Sequence, residues 1–130
     1  MKKALILFNF VVFMFVFSSL QAQNTRVGRW MSKKEYEAMK STGNVQEGSG
    51  GHTYCATSGA ASFRSQALKG DVYVEFEVPT LNLLQGGQTD WRYMVGPSAS
   101  ATSKTQISKQ KGALIPFAFK DLSDIIETKN

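Results

Sequence analysis

The stretch that most constrains the fold of this chain covers residues 28–43. It contains Arg29 inside a short apolar run, which predicts a β-strand. Ser32 and Glu35 follow with the spacing of a capping box. In that motif the serine hydroxyl accepts from the backbone N–H three residues on, and the glutamate side chain bonds back to the serine N–H. Gly43 suits the left-handed conformation that ends many helices. The stretch therefore predicts a strand, an abrupt cap and a short helix with a defined stop.

A second stretch, residues 72–78, gives the clearest strand in the chain. Four apolar residues alternate there with Tyr73, Glu75 and Glu77, a period of two that is typical of a half-buried strand. Pro79 ends it, because proline has no N–H to donate to a sheet ladder. Shorter β-prone segments occur at residues 52–57 and 92–95. Several short strands, short helices and no regular strand–helix–strand alternation predict an α+β fold with a small, mostly antiparallel sheet.

The first 22 residues have the pattern of a secretory signal peptide. Lys2 and Lys3 precede an almost wholly apolar run, and small and polar residues lead to a cleavage position after Ala22. The alternative is an uncleaved membrane anchor, although the run is shorter than the roughly 20 residues that span a bilayer. We therefore predict a signal peptide over residues 1–22, a single domain over residues 23–130, and a secreted or periplasmic location.

Charge and cysteine content exclude several classes of function. The whole chain carries a net charge of +5, and loss of the two leading lysines leaves 13 basic and 10 acidic residues without the clustering of a nucleic-acid-binding surface. Cys55 is the only cysteine and His52 the only histidine, so neither an internal disulfide nor a zinc site is expected. The two lie three apart and would face opposite sides of a strand, which argues against a catalytic Cys–His pair. The chain also contains no phosphate-binding loop, nucleophile elbow or zinc-protease motif.

Three other segments have weaker signals. Residues 58–68 predict a turn and a short helix with Phe63 and Ala67 facing inward, and residues 85–91 predict a mobile loop anchored by Trp91. Residues 98–111 contain few apolar side chains, so no definite structure is predicted for them.

Several segments in order resemble a known toxin family. The run Arg29-Trp30-Met31-Ser32-Lys33-Lys34-Glu35-Tyr36-Glu37-Ala38-Met39 with Thr42-Gly43 resembles the start of ADP-ribosyltransferase-like toxin domains of the TreTu type, found at the C-termini of Rhs polymorphic toxins. Further agreement occurs at residues 50–54, 72–79, 86–87 with Trp91, 96–98 and 111–112. The likeness covers nearly all of residues 23–130.

The resemblance implies an ADP-ribosyltransferase-like fold, in which a split sheet clamps NAD⁺ and the enzyme transfers ADP-ribose to a macromolecule. It places Arg29 on the NAD⁺ phosphates, since a guanidinium never loses its charge and binds phosphate oxygens bidentately. Tyr54 would stack on the nicotinamide ring, and Thr57 and Ser58 would brace the site. The alternative for Tyr54 is a cross-strand packing role.

The family also uses a carboxylate or amide in a loop before a late strand, to stabilise the oxocarbenium-like sugar. Gln88 and Asp90 are the candidates here, and the loop has no glutamate. The implied enzyme is a monomer with a protein or RNA acceptor in a target cell, and a neutralising immunity protein is a further expected partner. The alternative is an exported, catalytically inactive binding domain on the same fold.

Overall fold

A computed structural model describes residues 23–130. The predicted signal peptide, residues 1–22, lies outside the described residues. Over the described part of the chain the fold is a six-stranded sheet with two short helices. The strands are β1 (Asn24–Met31), β2 (His52–Ala56), β3 (Val72–Pro79), β4 (Leu84–Gln85), β5 (Trp91–Val95) and β6 (Glu127–Thr128). The helices are α1 (Lys33–Thr42) and α2 (Ala101–Lys109).

The strand order in the sheet is β4-β5-β2-β1-β3-β6, and every neighbouring pair is antiparallel. The predicted α+β fold with a small antiparallel sheet is therefore confirmed. β1 and β3 pair along their whole length, from Asn24 opposite Pro79 to Met31 opposite Val72. The period of two predicted for residues 72–78 is also correct, since the apolar side chains of β3 all face the core. These core residues of β3 are Val72, Val74, Phe76 and Val78, all 0% exposed.

The sheet divides between β1 and β2. These strands are paired at one position only, Gly28 opposite Ala56. One half of the sheet consequently contains β1, β3 and β6, and the other contains β2, β4 and β5. Since a regular ladder would continue from that pair, the strands diverge beyond it and leave a gap beside Arg29. We call this junction, where β1 and β2 are joined by a single residue pair, the split of the sheet.

Helix α1 begins and ends where the sequence predicts. The Ser32 hydroxyl accepts from the backbone N–H of Glu35 at 3.0 Å. Gly43 is left-handed, with φ of 73°, and its N–H donates to the Met39 carbonyl at 2.8 Å. Tyr36 and Met39 are buried against the sheet. α1 therefore covers the core face of the half-sheet that contains β1.

Two segments differ from their sequence patterns. Residues 101–109, for which no structure is predicted, form α2, capped by the Ser100 hydroxyl and held by the buried side chain of Ile107. A helix that buries so few apolar residues has a weak amphipathic pattern, which explains the omission. Residues 58–68, predicted as a turn and short helix, form a turn at residues 60–63, but the helix that follows is only the 3₁₀ helix Arg64–Gln66. No helix within residues 23–130 has the length and apolar content needed to cross a membrane.

Candidate functional site

Arg29 lies in the gap where β1 and β2 separate. Its Nη1 group donates to the Tyr54 carbonyl of β2 at 2.7 Å. Its Nε and Nη2 groups donate to the two carboxylate oxygens of Glu35, on α1, at 2.6 and 2.9 Å. The side chains of Arg29 and Glu35 are only 16% and 18% exposed. Three elements, β1, β2 and α1, therefore fix this guanidinium.

The carboxylate of Glu35 is where the structure departs from the predicted capping box. Of the two hydrogen bonds of that motif, only the one that the Ser32 hydroxyl accepts from the Glu35 N–H is formed. The side chain that would bond back to the Ser32 N–H is turned to Arg29 instead. The physical reason is charge, because a bidentate bond to a guanidinium is roughly twice as strong as a bond to a neutral N–H.

A cavity of about 210 Å³ adjoins this guanidinium. Its lining combines residues from both halves of the split sheet with residues of the 57–71 segment. The lining residues are Arg29, Trp30, Tyr54, Phe63, Gln66, Ala67 and Asp71. The cavity thus brings two predicted binding residues, Arg29 and Tyr54, to one place.

The 57–71 segment contributes four residues to the lining of the cavity and is bonded to β1 and β6. Trp30 donates its indole N–H to the Ala60 carbonyl at 2.7 Å. At the far edge, Arg64 forms a bidentate pair with Glu127 of β6, with contacts of 3.0 and 2.8 Å. The segment therefore forms one wall of the cavity.

Aromatic rings line the face of β2 and β5 beside the cavity. Tyr54 is 41% exposed, and its ring centre is 5.6 Å from that of Tyr93 and 6.3 Å from that of Phe63. Phe63 stacks on Trp91 at 4.6 Å, and Tyr93 lies 4.7 Å from His52. The cross-strand packing role considered for Tyr54 is present, and the residue also lines the cavity.

Asp90 lies directly before β5 and is held by the start of the 57–71 segment. Its carboxylate accepts from the Ser58 hydroxyl at 2.5 Å and from the Ser62 hydroxyl. These two hydrogen bonds hold the pKa of the Asp90 carboxyl below its usual value. The Asp90 backbone carbonyl accepts from the Thr57 N–H at 2.9 Å. The Asp90 carboxylate is therefore ionised at neutral pH.

Thr57 and Gln88 are less closely tied to the cavity. Thr57 contacts Asp90 and lines a separate cavity of about 160 Å³ on the Gly28 side of the sheet. Gln88 is exposed in the turn before β5, where its backbone carbonyl accepts from the Trp91 N–H at 3.0 Å. The structure thus places Thr57 next to Asp90, whereas Arg29 and Tyr54 share a cavity whose lining includes none of Thr57, Gln88 and Asp90.

Cys55 is unsuited to nucleophilic chemistry. Burial raises the pKa of its thiol to about 12, although the charges of Arg29 and Arg92 oppose that rise. His52 faces the other side of β2, with its Nε2 atom 3.0 Å from the Ser103 hydroxyl. Within residues 23–130 no cluster of three or more His, Cys, Asp or Glu side chains could hold a metal ion.

Another cavity, of about 570 Å³, lies between α2 and the edge formed by β4 and β5. It is lined by Leu83, Leu84, Gln85, Tyr93, Gln106, Lys109 and Gln110. Two of its three side-chain amides bond within the protein, since Gln110 donates to the Leu81 and Leu83 carbonyls and Gln85 to that of Gln88. Although larger than the Arg29 cavity, it combines no carboxylate with its single cation and is the weaker candidate for chemistry.

The sequence pattern did not indicate several residues of this site. The pattern predicts only a capping role for Glu35 and no role for Ser62, and it places Ser58 beside Thr57 without predicting its contact with Asp90. The contact of Glu35 with Arg29 has a partial local signal, because a glutamate six residues after an arginine can reach it across the corner between a strand and a helix. The serines carry no such local signal, since they meet Asp90 through tertiary contact over 32 and 28 residues.

The comparisons with known proteins give one family. The model of the family described as TreTu toxin, C-terminal domain, matches residues 24–125. The match includes both helices, five of the six strands and every residue that lines the Arg29 cavity. A comparison with curated proteins finds no match.

Proposed function

Because the chain belongs to the TreTu toxin C-terminal domain family, we propose that it is an exported ADP-ribosyltransferase toxin. It would take ADP-ribose from NAD⁺, release nicotinamide and modify a protein or an RNA. The observation that carries the proposal is the position of Arg29, fixed in the split of the sheet with a cavity beside it.

The guanidinium of Arg29 retains the donors that a pyrophosphate needs. It has five N–H groups. Three of these are used, on Glu35 and on the Tyr54 carbonyl. The two that remain belong to the Nη1 and Nη2 atoms, which together can bind two phosphate oxygens.

Tyr54 supplies a surface for the nicotinamide ring. The nicotinamide of NAD⁺ is positively charged, and a cation is attracted to the face of an aromatic ring. The Tyr54 ring lines the same cavity as Arg29 and is 41% exposed. Phosphate and nicotinamide groups of one NAD⁺ would then contact neighbouring residues.

Asp90 is the candidate for the catalytic carboxylate, with Gln88 beside it in the same turn. When the bond between C1′ of the ribose and the nicotinamide nitrogen breaks, positive charge develops on the sugar, and a fixed carboxylate stabilises it. The lowered pKa of Asp90 keeps it ionised for that role. Gln88, exposed in the turn, would contact the acceptor. Thr57 would hold the Asp90 turn through its backbone N–H.

Two observations favour the alternative of an inactive binding domain. Glu35 already pairs with Arg29 through both oxygens, so the local charge available to a pyrophosphate is reduced. Such a domain would bind NAD⁺ or a partner without turning NAD⁺ over. The loop from Gln85 to Asp90 also lacks a glutamate.

The test is transfer of label from NAD⁺ to a target-cell lysate by the purified protein. Arg29→Ala should abolish transfer, whereas Arg26→Ala should retain it, because Arg26 lies on the same strand with a side chain 44% exposed and faces other contacts. Equal labelling by wild type and Arg29→Ala contradicts the proposal. NAD⁺ binding without release of nicotinamide supports the inactive alternative instead.

Export and partners are tested separately. The intact mass of the product recovered outside the expressing cell shows whether residues 1–22 are removed. The labelled species identifies the acceptor as protein or RNA. Toxicity to the producing cell that depends on Arg29 would indicate the need for an immunity protein, and size exclusion checks the expected monomer.

A further inference from the structure

The carboxylate of Glu35 pairs with Arg29 on β1 and does not form the local bond to the Ser32 N–H that the capping box predicts. Its position in the first turn of α1 suits the capping box, and its backbone N–H does bond the Ser32 hydroxyl. Its carboxylate instead takes both the Nε and Nη2 groups of Arg29, at 2.6 and 2.9 Å, and is 18% exposed.

We propose that Glu35 is a positioning residue that orients Arg29 for the pyrophosphate of NAD⁺. This inference rests on the proposed function and deepens it. Arg29 on its own has several flexible torsions, so an unpaired guanidinium in the gap would sample many orientations. The bidentate pair with Glu35 fixes the guanidinium plane, because both planar groups must lie nearly coplanar.

The carbonyl of Tyr54 fixes the remaining freedom. It accepts from Nη1 at 2.7 Å, on the opposite strand of the split. The Nε–H and one N–H of Nη2 donate to Glu35, and one N–H of Nη1 donates to the Tyr54 carbonyl. These three bonds fix the direction of the two N–H groups that remain. A ligand that binds these two groups therefore meets donors that are already oriented, and such preorganisation strengthens binding.

Three roles for Glu35 predict different outcomes when it becomes glutamine. If Glu35 only neutralises Arg29, removing its charge strengthens attraction for a pyrophosphate, and NAD⁺ binds more tightly. If Glu35 only stabilises the fold, the melting temperature falls while NAD⁺ affinity is unchanged. If Glu35 positions Arg29, NAD⁺ affinity falls even though the site becomes more positive. The sign of the affinity change thus separates the three.

The experiment measures NAD⁺ affinity of the full chain by calorimetry, with the melting temperature recorded for each variant. Glu35→Gln should raise the Kd for NAD⁺ on the order of tenfold to a hundredfold, as expected when hydrogen bonds to a charged group are lost. Glu35→Asp keeps the charge on a shorter side chain and should give a smaller rise. Glu37→Gln is the matched control, since Glu37 lies on the same helix, is 68% exposed and contacts only Lys40 among its ion pairs. An unchanged or lower Kd in Glu35→Gln overturns the inference.

A second measurement keeps the inference testable if NAD⁺ does not bind at all, an outcome that would contradict the proposed function itself. The NMR signal of the Arg29 Nε–H reports orientation directly, and inorganic pyrophosphate serves as the probe. Positioning predicts a slowly exchanging Nε–H in wild type that shifts with pyrophosphate, and loss of both properties in Glu35→Gln. A signal and a pyrophosphate response that are the same in both proteins refute the role of Glu35.

Discussion

Replacing Gly28 by alanine tests whether the close approach of the Tyr73 ring to the backbone of β1 contributes to the stability of this fold. A Cβ atom at Gly28 would lie 1.9 Å from the Tyr73 hydroxyl oxygen and 2.4 Å from the ring carbon that bears it. Ordinary contact begins at 3.4 Å, so the phenol must withdraw by about 1.5 Å. Tyr73 is only 2% exposed, and its hydroxyl donates to Glu75 at 2.8 Å, so this movement is opposed.

The expected loss of unfolding free energy in Gly28→Ala follows from these contacts. Overpacking of a core typically costs about 1–3 kcal/mol. Loss of a hydrogen bond to a charged acceptor costs about 1.5–3 kcal/mol. Because moving the ring causes both effects, they overlap, and we expect the free energy of unfolding to fall by about 2–4 kcal/mol. For a domain of this size the melting temperature should drop by roughly 10–20 °C.

The assay is urea and thermal unfolding followed by circular dichroism. Gly87→Ala is the matched control, because a Cβ there would have only one neighbour within 4 Å, a Trp91 ring carbon at 4.0 Å. Both substitutions restrict the unfolded chain equally, so their difference isolates the clash at Gly28. If Gly28→Ala unfolds within about 0.5 kcal/mol of Gly87→Ala, the ring of Tyr73 yields freely and the reasoning is wrong.

Three further predictions concern single groups. Cys55 should resist thiol reagents at pH 8 until the protein unfolds. Because the pKa of the thiol is raised to about 12 in the folded protein, its contribution to stability is present below the pKa of the unfolded thiol and is lost as the pH rises towards 12. Rapid labelling of the native protein would contradict this. In carbon-detected NMR the pKa of the Asp90 carboxyl should lie below that of a free aspartate, and it should rise in a Ser58→Ala, Ser62→Ala variant. The contribution of this carboxyl to stability is present above the pKa of the unfolded state and is lost as the pH falls through the lowered pKa of the folded state. An unmoved titration would exclude the serines as the cause. Ser32→Ala should lower the free energy of unfolding by about 1 kcal/mol through loss of the cap, measured in urea, and a neutral result would deny that the cap stabilises α1.

The family relationship and the geometry give Arg29 a defined chemical setting. A buried or half-buried arginine commonly pairs with a carboxylate for stability alone. Here the pair adjoins a cavity of about 210 Å³ and an exposed tyrosine ring. That combination makes ligand binding the function worth testing first.

Local sequence determined much of this protein. The strand containing Arg29, the cap at Ser32, the stop at Gly43 and the alternation of β3 all follow from contacts within a few residues. Such signals depend on backbone preferences and on the side-chain period of a strand, both of which act locally. The segment around Arg29 and the turn before β5 could accordingly be identified as candidate parts of a site.

Only the tertiary structure decided how these parts meet. The partner of Glu35 depends on the angle between β1 and α1, and the contacts of Asp90 depend on a segment that returns from 28 residues away. The single Gly28–Ala56 pair that splits the sheet is likewise set by packing on both sides. Contacts over such separations result from the closure of the whole chain around one core, which no local pattern encodes.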